Sequence, residues 1–115
     1  MTTFTIGRQA EKVAAEYLRA KGYEILEQNY RTRFCEIDII ARKNKFLYFT
    51  EVKYRRSDAQ GGGLEYITSK KLKQMAFAAN TWLQERPAPR GYYLAAIEVG
   101  GSAFTVRNFI ESLTI

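Results

Sequence analysis

Two stretches of the chain carry apolar residues at the three- and four-residue spacing of an amphipathic helix. The first runs from about Ile6 to Lys21, where Gly22 provides a C-terminal stop. The second runs from about Ser69 to Glu85 and shows the clearer period. The two stripes consist of Ala10, Val13, Ala14, Tyr17 and Leu18 and of Leu72, Met75, Ala76, Ala79 and Leu83, with Trp82 at the edge of the second. The candidate N-caps are Thr3 or Thr5 for the first helix and Thr68 or Ser69 for the second.

Five further stretches are rich in Ile, Val, Phe and Tyr and are bounded by turn-forming or charged residues, which is typical of strands. They cover about 23–29, 35–41, 46–54, 92–99 and 104–109. The order is one helix, three strands, a second helix and two strands. This order predicts an α/β fold in which helices flank one mixed sheet. A chain of 115 residues is long enough for one core, so we expect a single domain over 1–115.

The second and third predicted strands form a hairpin that carries charge where buried strands are usually apolar. If the tight turn is centred between Asn44 and Lys45, residues whose numbers sum to 89 face each other. Asp38 then lies opposite Glu51, at the side-chain separation of about 5 Å that is typical of directly paired residues. The register therefore predicts a carboxylate pair on the surface of the sheet.

Alternation along each strand adds two more charges to this surface. Glu36 shares a face with Asp38, and Lys53 shares a face with Glu51. Facing carboxylates repel each other, and a divalent cation would compensate for that repulsion. A purely structural alternative is a salt-bridged cluster that pins the sheet, with Glu51 paired to Lys53 and Glu36 paired to Arg55.

Composition narrows the chemistry that such a cluster can perform. The chain contains no histidine, which excludes Ser-His and Cys-His nucleophile pairs and zinc sites that use histidine. Its single cysteine excludes an internal disulfide. No long apolar run or apolar signal core is present, so we expect a cytoplasmic protein that does not enter the membrane. Carboxylate oxygens without nitrogen or sulfur ligands suit Mg²⁺ or Mn²⁺.

The net charge of +6 is concentrated around the hairpin. Between Arg31 and Lys73 the chain has eleven of its 18 Lys and Arg residues but only five of its 12 Asp and Glu residues. A basic field around acidic residues is typical of a phosphate-backbone binder with a metal centre. The candidate nucleic-acid-binding residues are Arg8, Arg31, Arg33, Arg55, Lys70, Lys71 and Lys73. A solvated basic surface that only favours solubility is the alternative.

Two features beside these cations have both a functional and a simpler interpretation. The lysines at the start of the second helix have the wrong sign for the positive end of the helix dipole, which a docked phosphate would explain. They can equally be tolerated on an exposed turn. The glycine-rich stretch 55–63 predicts a loop, which either closes over a polymeric substrate or only connects two elements.

Several motifs occur together in a fixed order. They are Gly7-Arg8-x-x-Glu11, Gly22-Tyr23-x-Ile25-Leu26-x-x-Asn29-Tyr30-Arg31, Glu36-Ile37-Asp38-Ile39-Ile40-Ala41, Phe49-x-Glu51-Val52-Lys53-x-Arg55 and Lys70. This set resembles the YraN family, also called UPF0102, over nearly the whole chain. Its members are small bacterial proteins of the restriction-endonuclease-like PD-(D/E)xK superfamily, akin to archaeal Holliday junction resolvases. The resemblance implies an αβββαβ core.

The resemblance also implies a site. The superfamily's metal motif falls on Asp38, Glu51 and Lys53, with the backbone carbonyl of Val52 as a further metal ligand. Lys53 would activate the nucleophile or stabilise the transition state. The N-terminal acid of related resolvases falls on Glu11, which would support the metal or its water. From the residues alone, Glu11 is only an early acid at the edge of the helix stripe, favoured by the helix dipole.

These implications predict a magnesium- or manganese-dependent endodeoxyribonuclease that acts on branched or otherwise structured DNA in repair or recombination. Because junction resolvases cut two strands symmetrically, a homodimer is a further expectation, although no apolar stripe specifies its interface. Two alternatives remain open. One is a nucleic-acid-binding module that keeps the nuclease fold without turnover, and the other is a partner-binding domain whose charges form a buried ion network.

Overall fold

A computed structural model describes residues 1–56, 65–86 and 91–113 of the chain. Its elements are α1 (Thr3–Ala20), β1 (Glu24–Arg31), β2 (Glu36–Lys43), β3 (Phe46–Arg55), α2 (Ser69–Leu83), β4 (Tyr92–Gly100) and β5 (Thr105–Ile110). The predicted order of helices and strands is confirmed. Most of the predicted glycine-rich loop, 57–63, lies outside the described residues.

The five strands form one mixed sheet in the spatial order β1-β2-β3-β4-β5. Strands β3 and β4 pair in parallel, and the other neighbours pair in antiparallel fashion. Parallel neighbours need a crossover connection, and α2 occupies that connection between β3 and β4. The α/β fold with a mixed sheet flanked by helices is therefore confirmed, and it is consistent with an αβββαβ core.

Each helix covers one face of the sheet with its apolar stripe. The core under α1 includes Ala10, Ala14, Leu18, Ile39, Ala41, Tyr48 and Ile97. The core under α2 includes Ile40, Leu47, Phe49, Met75, Ala78, Ala79 and Trp82. Residues 39 and 40 thus face opposite layers, as strand alternation requires. The sheet is consequently buried on both sides near its centre.

The helix N-termini differ from the prediction at α1 and agree with it at α2. Thr2 caps α1, since its hydroxyl accepts a hydrogen bond from the N–H of Thr5 at 3.1 Å. The caps predicted at Thr3 and Thr5 were wrong because the helix extends one turn further toward the N-terminus. Thr68 caps α2, and its hydroxyl accepts from the N–H of Lys71 at 3.1 Å.

The end of β1 and the buried face of α2 also differ from the prediction. Strand β1 continues through Arg31, which the sequence assigned to a connection, because Tyr30 and Arg31 still pair with β2. The buried face of α2 is turned toward Trp82, which was expected only at the edge of the stripe. Trp82 packs edge-to-face on Phe49 in the core, and its indole N–H donates to the Glu27 carboxylate at 3.0 Å, so that burial leaves this N–H paired.

Candidate active site

The β2–β3 hairpin has the register that the sequence predicted. Its pairs run from Lys43↔Phe46 to Ile39↔Thr50. The two turn residues Asn44 and Lys45 both have positive φ, 54° and 69°, as a two-residue type I′ hairpin turn requires. One step beyond the last pair, Asp38 stands opposite Glu51.

Asp38 lies where the β2–β3 ladder ends. Its Oδ2 accepts a hydrogen bond from the backbone N–H of Val52 at 2.8 Å. Burial raises the pKa of Asp38 to about 7, and the neighbouring negative charge of Glu51 adds to this increase. The Val52 N–H and the Lys71 ammonium act in the opposite direction. Between pH values of about 4 and 7 the buried Asp38 therefore keeps a proton that an exposed aspartate would release.

Lys71, rather than Lys53, is the cation in contact with this pair. The Lys71 Nζ lies 3.2 Å from Glu51 Oε2 and reaches it from the first turn of α2. Lys53 is exposed, and its Nζ lies 5.9 Å from the centre of the Tyr66 ring. The Glu51–Lys53 pair of the structural alternative is thus replaced by a Glu51–Lys71 pair.

Glu11 approaches Asp38 from α1. Its side chain is mostly buried and pairs with Arg8 at 3.5 Å. Burial raises the pKa of Glu11, and the charge of Asp38 raises it further, whereas a hydrogen bond from the Asn29 side chain lowers it. The fold thus brings Glu11 within electrostatic reach of Asp38.

Asn29 is a member of the site that sequence reasoning missed. Its neighbours Gln28 and Tyr30 pair with Ile39 and Ile37, so Asn29 stands opposite Asp38 on β1. Its φ of 56° is rare for any residue except glycine and is tolerated best by Asn and Asp. No local signal distinguished it, because Asn29 is one of five polar or charged residues among the eight of β1.

Glu36 does not join the pair, although strand alternation placed it on the same surface. Its carboxylate lies 3.3 Å from Arg31 Nε, its cross-strand neighbour, and both side chains are exposed. The partner proposed for Glu36 in the structural alternative, Arg55, pairs with another acid.

Arg55 faces inward. Its Nε lies 2.7 Å from the carboxylate of Glu98, and both side chains are almost fully buried. Its guanidinium also lies 3.4 Å from Glu65 and 5.5 Å from the centre of the Tyr66 ring. Arg55 was predicted to contact phosphate, but in this structure it is an internal ion-pair partner. The sequence missed Glu98 because a single Glu in an apolar strand does not reveal its partner.

The donor atoms around Asp38 suit a hard cation that keeps part of its water shell. Across residues 1–56, 65–86 and 91–113, no three His, Cys, Asp or Glu side chains converge closely enough to form a ready-made metal cage. Magnesium usually binds proteins through only one or two carboxylates and retains several waters. Asp38 and Glu51 provide that donor set, and their negative charge favours a cation. That the Val52 carbonyl and Glu11 also bind the metal stays a prediction.

A basic cleft of about 580 Å³ lies between the β1–β2 connection and the start of α2. Five of the seven predicted nucleic-acid-binding residues line it: Arg31, Arg33, Lys70, Lys71 and Lys73. Its other lining residues include Glu36, Phe34 and Phe77. Because Lys71 lines the cleft and also contacts Glu51, one lysine side chain separates the cleft from the carboxylate pair. Arg8 is not among the lining residues.

Comparison with known sequences identifies the family. The model described as "Uncharacterised protein family UPF0102" matches residues 10–100 of the chain. This chain belongs to the UPF0102 family. The matched range contains the candidate catalytic residues Glu11, Asp38, Glu51 and Lys53 together with the lysines of α2. Arg8 lies just before it.

Individual UPF0102 relatives agree with this assignment. A protein of Chlorobium limicola is 48% identical, and the match covers 94% of this chain and 91% of that protein. A protein of Hahella chejuensis is 46% identical over 70% of this chain and 65% of its own length. A Vibrio parahaemolyticus relative is 40% identical over 70% of this chain and 67% of its own length. Within the described residues, neither helix is long and apolar enough to cross a membrane.

Proposed function

We propose that this UPF0102 protein is a magnesium- or manganese-dependent endodeoxyribonuclease that acts on branched or otherwise structured DNA in repair or recombination. The observation that carries the proposal is the junction at Lys71 between the basic cleft and the Asp38–Glu51 pair. A phosphate backbone held by the cleft cations would place its phosphodiester groups beside two carboxylates. Basic grooves supply most of the affinity for DNA, whereas hydrolysis requires the acids.

Each of the four candidate catalytic residues would have a different role in the reaction. Asp38 and Glu51 would hold the metal ion, which when bound supplies Lewis acidity and a more acidic water. Hydrolysis adds the water oxygen to phosphorus and breaks one P–O ester bond, and the departing oxygen takes up a proton. Lys53 lies on the same face as Glu51, where its ammonium would orient the water or balance charge on the phosphate. Glu11 would support the arrangement from α1.

Cleavage assays with substrate and cation panels test the proposal. Purified protein is incubated with labelled four-way junctions, flaps, nicked duplexes and blunt duplexes, with Mg²⁺, with Mn²⁺ or with EDTA. We expect cleavage of branched DNA that requires the cation, and a loss of at least 100-fold in rate for Asp38→Asn and Glu51→Gln, since each removes a charge that holds the metal. Glu24→Gln is the matched control, because Glu24 is an exposed carboxylate paired with Arg42 at 2.7 Å.

A non-catalytic nucleic-acid-binding module is the second candidate. It is favoured by the contact of Glu51 with Lys71, which already balances part of the carboxylate charge, and by the lack of a three-ligand cluster in the described part of the chain. Such a module would bind DNA with strong salt dependence and release no products with any cation. Unchanged cleavage in Asp38→Asn would instead show that the reaction occurs elsewhere or comes from a contaminant.

A further inference from the structure

Two exposed phenylalanines face the basic cleft. The Phe34 side chain is 78% exposed and that of Phe77 is 52% exposed, and both line the cleft. A single apolar side chain on a surface is common and needs no explanation. Two aromatic rings in one cation-lined cleft are different, because water-exposed rings there contribute nothing to the hydrophobic core.

The backbone holds Phe34 outward. The hydroxyl of Thr32 accepts hydrogen bonds from the N–H groups of Phe34 and Cys35 at 3.1 and 3.2 Å. The N–H of Thr32 donates to the carbonyl of Cys35 at 2.9 Å. This tight turn holds the backbone at Phe34 before any ligand arrives, which lowers the entropic cost of presenting the ring for binding. The Arg33 guanidinium lies 5.8 Å from the centre of that ring.

Phe77 belongs to a stripe on α2. Lys70, Lys73, Gln74 and Phe77 follow the three- and four-residue spacing of one helix face, and all four line the cleft. The opposite face of α2, which includes Ala79 and Trp82, is buried against the sheet. The cleft face of α2 therefore presents a row of polar and cationic side chains that ends in an aromatic ring.

An aromatic ring beside cations can stack on an exposed nucleobase while the cations bind the adjoining phosphates. Proteins that bind single-stranded DNA combine a basic groove for the backbone with aromatic rings on which successive bases stack. Duplex bases are already stacked on each other and cannot use such rings. We propose that Phe34 and Phe77 stack on bases of a single-stranded DNA segment, so that the cleft holds single-stranded DNA beside the Asp38–Glu51 pair. This inference rests on the proposed function and specifies the part of a branched substrate that the cleft binds.

Binding measurements in EDTA separate this inference from cleavage. Fluorescein-labelled oligo(dT) and a blunt duplex of the same length are titrated with wild-type protein and variants. We expect Phe34→Ala and Phe77→Ala each to weaken binding to the single strand by about tenfold and to change duplex binding by less than about twofold. Phe34→Trp should retain the affinity because it keeps an aromatic face, whereas Phe34→Leu should lose it. Phe4→Ala is the matched control, because Phe4 is 67% exposed and lies outside the cleft.

An abasic site provides a direct test of stacking. Removing the base that contacts Phe34 should weaken wild-type binding at one position along the strand, and it should have no effect on Phe34→Ala, since the same interaction is already absent. Equal losses in both proteins would overturn the stacking assignment.

Other outcomes also decide between the two proposals. If the wild type binds both DNAs and the phenylalanine variants bind as tightly, the stacking inference fails while the proposed nuclease function stands. If the wild type binds neither DNA, the stacking inference fails, whereas the proposed function is decided separately by the cleavage of branched DNA with Mg²⁺ or Mn²⁺. If sedimentation velocity shows a wild-type dimer that Phe34→Ala and Phe77→Ala convert to monomer, the rings pack against a second copy of the chain and the stacking inference is overturned.

Discussion

Asp38 is a proposed metal ligand whose pKa lies well above that of an ordinary aspartate. Its raised pKa means that the folded protein keeps a proton that the unfolded chain has already released. The unfolding free energy therefore falls as the pH rises through the interval from about 4 to about 7, and the loss is complete above that interval. The site is thus built at the expense of stability at neutral pH.

Asp38→Asn tests this relation. The variant keeps an oxygen for the Val52 N–H but has no titrating proton, so its stability relative to the wild type should increase with pH by about 2–4 kcal/mol between pH 4 and pH 8. Urea unfolding at several pH values measures the difference. In a Glu51→Gln background the pH-dependent gain should be smaller, because the Glu51 charge contributes to the shift. A pH-independent difference would show that Asp38 titrates normally.

At the residue scale, the sequence predicted Asp38 opposite Glu51 because hairpin register depends on the turn alone. It did not predict that Lys71 would contact Glu51, since that contact depends on how α2 crosses the sheet. Arg55 was assigned to the surface for a related reason: its partner Glu98 lies on β4, more than forty residues later in the chain. Long-range partners of charged residues are not encoded in any local pattern.

At the element scale, the β2–β3 turn is the feature that fixes the site. Both Asn44 and Lys45 adopt the left-handed conformation, which Asn tolerates and Lys does not favour. The turn therefore contains about 1 kcal/mol of backbone strain at Lys45. The hairpin pairs that follow it nevertheless hold the register without a shift as far as Ile39↔Thr50.

Lys45→Gly should remove this strain. The resulting Asn-Gly turn is a preferred type I′ sequence, and we expect the free energy of unfolding to rise by about 0.5 kcal/mol after the greater entropy of glycine in the unfolded chain is included. Thermal and urea unfolding measure the change. Lys45→Ala serves as the control, because it removes the same charge but keeps the Cβ. Equal effects of the two substitutions would attribute the change to charge rather than to backbone conformation.

The elements themselves were predicted well where a local signal was strong. The periods of α1 and α2 and the Ile-, Val-, Phe- and Tyr-rich composition of the strands identified the two helices and five strands of the described residues. Gly22, with φ of 92°, ends α1 as expected. The orientation of α2 was less accurate. Trp82 lies in the core, where it packs on Phe49 of β3 and donates a hydrogen bond to Glu27 of β1, and helical periodicity does not contain such tertiary contacts.

At the scale of the whole molecule, the basic residues that the charge count located near the hairpin form one cleft. Counting charged residues along the sequence identified this region, because an excess of Lys and Arg over Asp and Glu can be read from composition alone. It did not identify the shape of the cleft, which arises where the β1–β2 turn and the first turns of α2 approach each other. Arg8 was grouped with these cations by sequence, but the fold places it against Glu11 on α1.

Salt dependence of DNA binding distinguishes the cleft from the rest of the charged surface. Lys70→Gln and Lys73→Gln should each weaken binding to duplex and single-stranded DNA alike and lower the slope of log affinity against log salt by about 1. Lys12→Gln is the control, since Lys12 is exposed on α1 and does not line the cleft. Equal slopes for the cleft variants and the control would indicate nonspecific attraction by net charge.

The candidate catalytic residues and the α2 residues that line the cleft come from different parts of the sequence. All four candidate catalytic residues, Glu11, Asp38, Glu51 and Lys53, precede residue 56, whereas the α2 stripe that lines the cleft follows residue 68. Under the proposed function, the residues that cut and half of those that line the cleft lie in separate segments. Substitutions on the exposed face of α2 can therefore change which DNA is held while the acids stay the same. Under the proposed function, the two properties can thus be altered separately by substitution in this chain.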